Sequence, residues 1–311
     1  MSTDLPQLFR QSALPSHVSI CEVSPRDGLQ AESTTLPVPV RLELIHRLTE
    51  AGLTSIEAGS FVSPRAVPQM ADTRSVLDGL DLDSAATYPV LVPNRRGLDD
   101  AIAAGAVDVS VFLSVTESFS QANLGDSLQA TTERGLEVAR AATTAGLRVR
   151  GYLSMVFGDP WEGAVDPQDV ASAARRLVDA GCTSVSLGDT IGTATPGHVT
   201  AVLDSLVSAG IPIDSVALHT HNTYGQALAN VYSALQAGVR QFDASAGGIG
   251  GCPFARTASG NLATEDLLWM LDGLGISTGV DIEAVAATSQ WLSDQLGTPL
   301  PSATPSAVLS R

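Results

Sequence analysis

SAGIPIDSVALHTH, residues 208–221, is the stretch whose reading decides the fold. It starts at the end of an amphipathic Ala/Leu-rich segment, passes through Ala209-Gly210 and closes as a short apolar run. A glycine just past the last helical turn supplies the left-handed cap that ends a helix, and the run after it reads as a strand. The same Ala-Gly dipeptide recurs at Gly52, Gly105, Gly146, Gly181 and Gly238, before SIEA, VDVSVFL, RVRGYL, TSVSLGD and RQFDAS. From Gly105 onward these glycines lie 41, 35, 29 and 28 residues apart, the length of one strand–helix unit. The 53-residue gap between Gly52 and Gly105 holds two units, with AATYPVLV as the extra strand, and residues 18–23 supply the first of eight runs. Eight alternating units predict an α/β protein of the (β/α)8 TIM-barrel class, with an open doubly wound sheet as the alternative. An additional C-terminal helix is expected over residues 281–296. The whole chain, 1–311, reads as one barrel domain with an ordered core over about 17–297, a short N-terminal arm and a flexible Pro/Ser/Thr-rich C-terminal tail.

Composition narrows the chemistry. All 17 basic residues are Arg, and no Lys occurs anywhere. Schiff-base aldolases, pyridoxal-phosphate enzymes and Walker A nucleotide sites all need a lysine, so those mechanisms are excluded. A carbanion formed here must be stabilised by a metal or by Arg. The formal charge of −16 argues against nucleic acid and anionic membranes as partners. No 18-residue apolar run offers a membrane span. Cys21, Cys182 and Cys252 are three, widely spaced and without a CxxC pair, which suits a reduced cytoplasmic protein.

Active sites of such barrels lie at the carboxyl ends of the strands, and unusual polar residues gather there. In VALHTHN, the seventh run, His219 and His221 point to one face of the strand while Leu218 and Thr220 point to the other. Two imidazoles at this spacing on a barrel rim read as a metal pair. Arg26 and Asp27 follow the first run in SPRDG. Glu57, in SIEAGSF, alternates inward opposite Ile56, either for chemistry or for a salt bridge to an interior Arg. Asp189 closes the sixth run in SLGDT, as a reactive group or as a cap on the next helix. After the eighth run, five glycines surround Cys252 in AGGIGGCPFARTASGN. Such a loop is a candidate lid, or a phosphate cradle. Asn261 could lend a side-chain oxygen to a metal or cap the helix near Thr264. Asp, His and Asn donors without thiolate favour Mg²⁺ or Mn²⁺ over a structural zinc site.

The segments SPRDGLQ, SIEAGSFVSPRAVPQM, VRGYLSMVFGDPWEG, SLGDTIGTATPG, HTHNTYGQALAN and GGCPFARTASGNLATEDLLWMLDGLGI resemble the 3-hydroxy-3-methylglutaryl-CoA lyase family, over about residues 18–280. The resemblance implies a divalent-metal-dependent carbon–carbon lyase that splits the thioester into acetoacetate and acetyl-CoA, and a homodimer. It implies metal ligation by Asp27, His219, His221 and Asn261. Arg26 would offset negative charge on substrate or enolate, acting on the reaction rather than on folding, and Cys252 would assist proton transfer. Glu57 and Asp189 would support them, and Gln30 and Ser60 would lie near the acyl group. The same chemistry on a longer 3-hydroxy-3-alkylglutaryl-CoA or another hydroxy acid is the alternative, and a non-catalytic ligand-binding barrel is a remote one. Three departures stand out. Asn222 makes the histidine motif HTHN rather than HxHD, Ala31 precedes Glu32 where Asn-Glu is usual, and Met155 and Asp159 stand where two cysteines are common. For an acyl-CoA partner the phosphate-binding charge must come from Arg or helix N-termini. Arg65 in FVSPRAVP and Arg95 and Arg96 in VPNRRG follow the second and third runs and are the expected rim.

Overall fold

The computed structural model describes residues 6–251 and 260–310. All six Ala-Gly glycines take φ between 75° and 98°, each directly after a helix such as Pro196–Ser208 or Ala227–Gln236. The helix stops there because only glycine adopts that conformation without strain.

The strands are β1 (Ser19–Glu22), β2 (Ser55–Ile56), β3 (Gly59–Ser60), β4 (Val90–Leu91), β5 (Asp108–Ser114), β6 (Arg148–Ser154), β7 (Ser184–Asp189), β8 (Val216–Thr220) and β9 (Gln241–Ala244). They pair in parallel in the order β2-β1-β9-β8-β7-β6-β5-β4-β3. β2 and β3 are two parts of one chain run, parted at Glu57 and Ala58, so both ends of that order are the same barrel strand. The sheet therefore closes on itself as a TIM barrel of eight staves, and the open-sheet alternative falls away. Val216 and Leu218 of β8 join the apolar core that the surrounding helices cover. Along the ring, Gly188, His219 and Asp243 stand side by side in register on β7, β8 and β9.

The extra helix forms as Ile282–Leu296 and packs on Val38–Glu50. The tail differs from expectation. Residues 304–308 form a short helix, Ser302 Oγ and Thr304 N donate to the Asp266 carboxylate (3.2 and 2.9 Å), and Val308 is buried. Partners distant in sequence override the local disorder tendency of its Pro and Ser residues. No helix among the described residues is long and apolar enough to cross a membrane. Cys21 and Cys182 are free and buried, and burial pushes both thiols up to about 12.

Candidate active site

β1 ends in a single π-turn, Ser24–Gly28, which sets Arg26 and Asp27 at the barrel mouth. Such turns are uncommon and occur often at functional sites. Arg26 is buried, and its guanidinium donates from Nε to Glu57 Oε2 (2.6 Å) and from an amino group to Asp27 Oδ1 (2.6 Å). Glu57, at 0% exposure in the break between β2 and β3, has its other oxygen unpartnered. The salt-bridge alternative for Glu57 is thus realised, with Arg26 as the partner. Arg26 thus has a buried partner whose charge it balances, besides any part in the reaction.

His219 and His221 do share one face. Their Nε2 atoms approach to 3.3 Å, and His219 Nε2 lies 3.8 Å from Asp27 Oδ2. Asp27, His219 and His221 each offer a donor atom within 4.8 Å of the others, the one such group among the described residues. Asn261 Nδ2 donates to Asp27 Oδ2 (2.9 Å) and to the Ile249 carbonyl (3.0 Å), while its Oδ1 is buried without a partner. Asn261 does not cap the following helix, whose N-cap is Ala263.

Charge at this cluster is set by competing terms. Burial opposes ionisation of Asp27, but Arg26 and then the two histidines outweigh it and hold the carboxyl well below the usual range. Burial, reinforced by His219, pushes His221 down to about 4, so at neutral pH its ring is an uncharged donor. Burial also disfavours charge on His219, yet Asp243 and Asp27 more than compensate and its value rises. An ionised carboxylate and two imidazoles gathered at one point, with the buried, unpartnered amide oxygen of Asn261 on a residue that touches Asp27, fit a divalent cation of O/N preference. The donor set suits the implied metal.

Arg26, Asp27, Gln30, Ser60, His219 and His221 line a cavity of about 360 Å³, together with Tyr152 and Thr190. Asp189 plays a different part. Both its oxygens accept the Ala194 N–H (3.2 Å each), so it holds the loop that begins at Thr190. Burial pushes its pKa up to about 7 against those bonds. Beside this cavity, and sharing Ser60 and Val62 with it, lies a depression of about 700 Å³ lined by Arg65, Arg74, Asn94 and Arg96. Arg95 turns away, to Asp99 (2.9 Å). Cys252 lies outside the described residues.

Two of the departures lie off the metal set. Asn222 accepts from Ala227 N (3.3 Å) at the start of the next helix. Asp159 accepts from Thr116 Oγ1 (2.6 Å) and from the backbone N–H groups of Trp161 and Glu162.

Several participants escape a reading of the sequence. Asp243 accepts from Ser186 Oγ (2.9 Å), pairs with Arg150 and faces His219 Nδ1 at 3.3 Å. That contact fixes a proton on Nδ1 and leaves Nε2 toward Asp27. The Tyr152 ring meets His219 edge-on at 6.0 Å and takes the guanidinium carbons of Arg26 and Arg150 at 5.5 and 5.3 Å from its centroid. Glu22, fully buried, accepts from Ser24 N, Ala246 N and Thr264 Oγ1 and so ties β1 to the chain after β9. An acid inside QFDAS or SICEV is a weak signal by itself. The inward alternation of a barrel strand is the only cue that could have found them.

The profile of the HMGL-like family matches residues 17–292. This chain belongs to that family. It is 51% identical over 281 residues to the hydroxymethylglutaryl-CoA lyase of Pseudomonas mevalonii, covering 90% of this chain and 93% of that one. Among solved structures, hydroxymethylglutaryl-CoA lyase from Pseudomonas aeruginosa superposes with a TM-score of 0.92 at 44% identity, over 96% and 99% of the two chains. An HMG-CoA lyase from Acinetobacter baumannii in complex with coenzyme A and 3-methylmalate gives 0.90 at 35% identity, over 96% and 97%. The cluster of Asp27, His219 and His221 thus sits in an HMGL-like barrel matched over nearly its full length.

Proposed function

We propose that this protein is a hydroxymethylglutaryl-CoA lyase, cleaving 3-hydroxy-3-methylglutaryl-CoA to acetoacetate and acetyl-CoA. The observation that carries the reading is the convergence of Asp27, His219 and His221 with the Arg26–Glu57 pair on one cavity in an HMGL-like barrel. Asp27, His219, His221 and Asn261 would hold a divalent ion, Mg²⁺ or Mn²⁺ by the oxygen donors and the lack of thiolate, whose Lewis acidity would make an alcohol proton easier to remove. In the reaction the C3 hydroxyl loses its proton and the C2–C3 electrons move into the thioester as an enolate. C3 becomes the ketone of acetoacetate, and a proton on C2 completes acetyl-CoA. Arg26, fixed by Glu57 and Asp27, is preorganised to offset the enolate charge. The proton for C2 is assigned to Cys252. Gln30 and Ser60 line the cavity where the acyl group would lie, and Asp189 holds its Thr190 edge. The free buried thiols Cys21 and Cys182 support a reducing, cytoplasmic setting.

Incubation with the thioester and Mg²⁺ should release acetyl-CoA and acetoacetate in equal amounts. Intact thioester after incubation with Mg²⁺, Mn²⁺ and Co²⁺ in turn would defeat the reading.

Two further outcomes follow from neighbouring residues. Asp243→Asn replaces the carboxylate that orients His219 with a neutral amide, one oxygen of which becomes an NH2 that cannot accept, and loss of such a partner typically weakens metal affinity about 10- to 100-fold. Titration calorimetry with Mn²⁺ would read the change, and an unaltered Kd would show that Asp243 serves only Arg150. The CoA phosphates are assigned to the depression holding Arg65, Arg74 and Arg96. Arg65→Glu and Arg96→Glu should raise KM with kcat held, because phosphate binding is shared by ground and transition states. The effect should shrink with salt. Arg95→Glu, which only releases Asp99, is the control.

A further inference from the structure

The cavity wall across the barrel from the metal cluster is built from parts that bond cleavage does not use. β5 and β6 stand opposite β9 and β1 in the ring, and from that side Phe112, Phe119, Leu124 and Leu153 line the cavity beside the polar Asn123, Tyr152 and Ser154. Phe119 and Leu124 belong to the helix Glu117–Leu124, which follows β5. Phe119 is 5% exposed and packs with Met155, with Ile191 against both, in an apolar cluster separate from the main core.

That cluster is held from three loops at once. Met155, just past β6, is the one non-glycine among the described residues at positive φ (60°), and its N–H donates to Thr190 Oγ1 (2.8 Å) beyond β7. Thr116 Oγ1, at the start of the Phe119 helix, donates to Asp159 Oδ2 (2.6 Å) in the loop after β6. Glu162 of that loop accepts the Ser118 N–H. Backbone in a sparsely populated region persists only where surroundings over-determine it. Phe119 is therefore backed by residues that cannot recede.

A 3-hydroxy-3-methylglutaryl thioester carries few groups that such a wall can face. Its hydroxyl, carboxylate and carbonyl all need polar partners, which Asn123 and Ser154 offer and the Phe119 ring does not. The coenzyme leads toward the arginine-lined depression beside β3 and β4. Only the alkyl substituent on C3 remains.

We propose that Phe119 is a specificity-determining residue that limits the C3 substituent to a methyl group. The inference rests on the lyase reading above and adds to it the size rule of the acyl pocket. Each methylene accepted or rejected by an apolar pocket of this kind changes selectivity about 10- to 200-fold.

The test compares kcat/KM for 3-hydroxy-3-methylglutaryl-CoA and its 3-propyl homologue in the wild type, Phe119→Ala and Phe119→Leu. The wild type should favour the methyl substrate by at least about 10-fold. Phe119→Ala should narrow that ratio by about 10-fold or more, with Phe119→Leu between the two. A purely structural role would lower both activities together and leave the ratio unchanged. That outcome in either variant, or a wild type that accepts both substrates equally, overturns the proposal. Should Phe119→Ala fail to fold, the ratio in Phe119→Leu decides. A wild type inert toward the methyl substrate would instead overturn the lyase reading, so the two failures are distinct.

Discussion

Arg26→Gln should lower turnover by about 100- to 1,000-fold, the usual cost of removing a preorganised donor to developing negative charge. It should also lower Tm. Glu57 is fully buried and loses the Arg26 guanidinium, its one salt-bridge partner among the described residues, and breaking such a buried pair from one side typically costs about 3–5 kcal/mol. Part of that cost will be relieved as Glu57 takes up a proton. The double variant Arg26→Gln/Glu57→Gln separates the two effects. It should regain much of the lost Tm, because the fully buried Glu57 charge is gone while Asp27 keeps His219 and Asn261, and regain none of the turnover. Thermal unfolding and steady-state acetyl-CoA release measure the two quantities. Recovery of turnover in the double variant would show that Arg26 serves only to balance Glu57.

Removing the divalent ion should have an effect at least as large. Lewis-acid stabilisation of this kind is worth several kcal/mol, so EDTA treatment should reduce turnover by more than about 1,000-fold, with Mg²⁺ or Mn²⁺ restoring it. His219→Ala should reproduce the loss even with metal in excess, because it deletes a donor and removes a partner shared by Asp27 and Asp243. His46→Ala is the matched control, since His46 is exposed and touches only Glu50 one helical turn away. Retention of bound Mn²⁺ by His219→Ala, measured after gel filtration, would remove His219 from the metal set. Full turnover in rigorously stripped wild type would remove the metal from the reaction.

The arginine and metal effects differ in how far the sequence foretells them. His219 and His221 sit two apart in a strand, and a strand's alternation alone puts them on one face. Arg26 and Asp27 follow the end of the first strand run, and barrel chemistry gathers at such ends. Both arguments use neighbours in the chain. The stability cost of Arg26→Gln is different in kind, because it depends on Glu57 lying against Arg26 across 31 residues of sequence. Asp243 is 24 residues from His219 and meets it only because β8 and β9 pair in one register and no other. Arg95 and Arg96 are adjacent and look alike in the sequence. Both reach an acid one turn on, Arg95 to Asp99 and Arg96 to Asp100, and only the winding of their helix puts Arg96 and not Arg95 in the lining of the depression beside the mouth.

The sequence by itself determined the eight strand–helix units and the residues at their carboxyl ends. A helix cap, a period-two strand and the absence of lysine are local properties that need no knowledge of distant contacts. The tertiary structure decided the closure of the sheet through the broken run of β2 and β3, and the burial of Glu57 in that break. It also decided the orientation of His219 by Asp243, the docking of the C-terminal tail on Asp266, and the backing of Phe119 by Met155 and Ile191. Each of these joins segments far apart in the chain. Their meeting is fixed by strand register and loop packing, which depend on the whole barrel being formed at once.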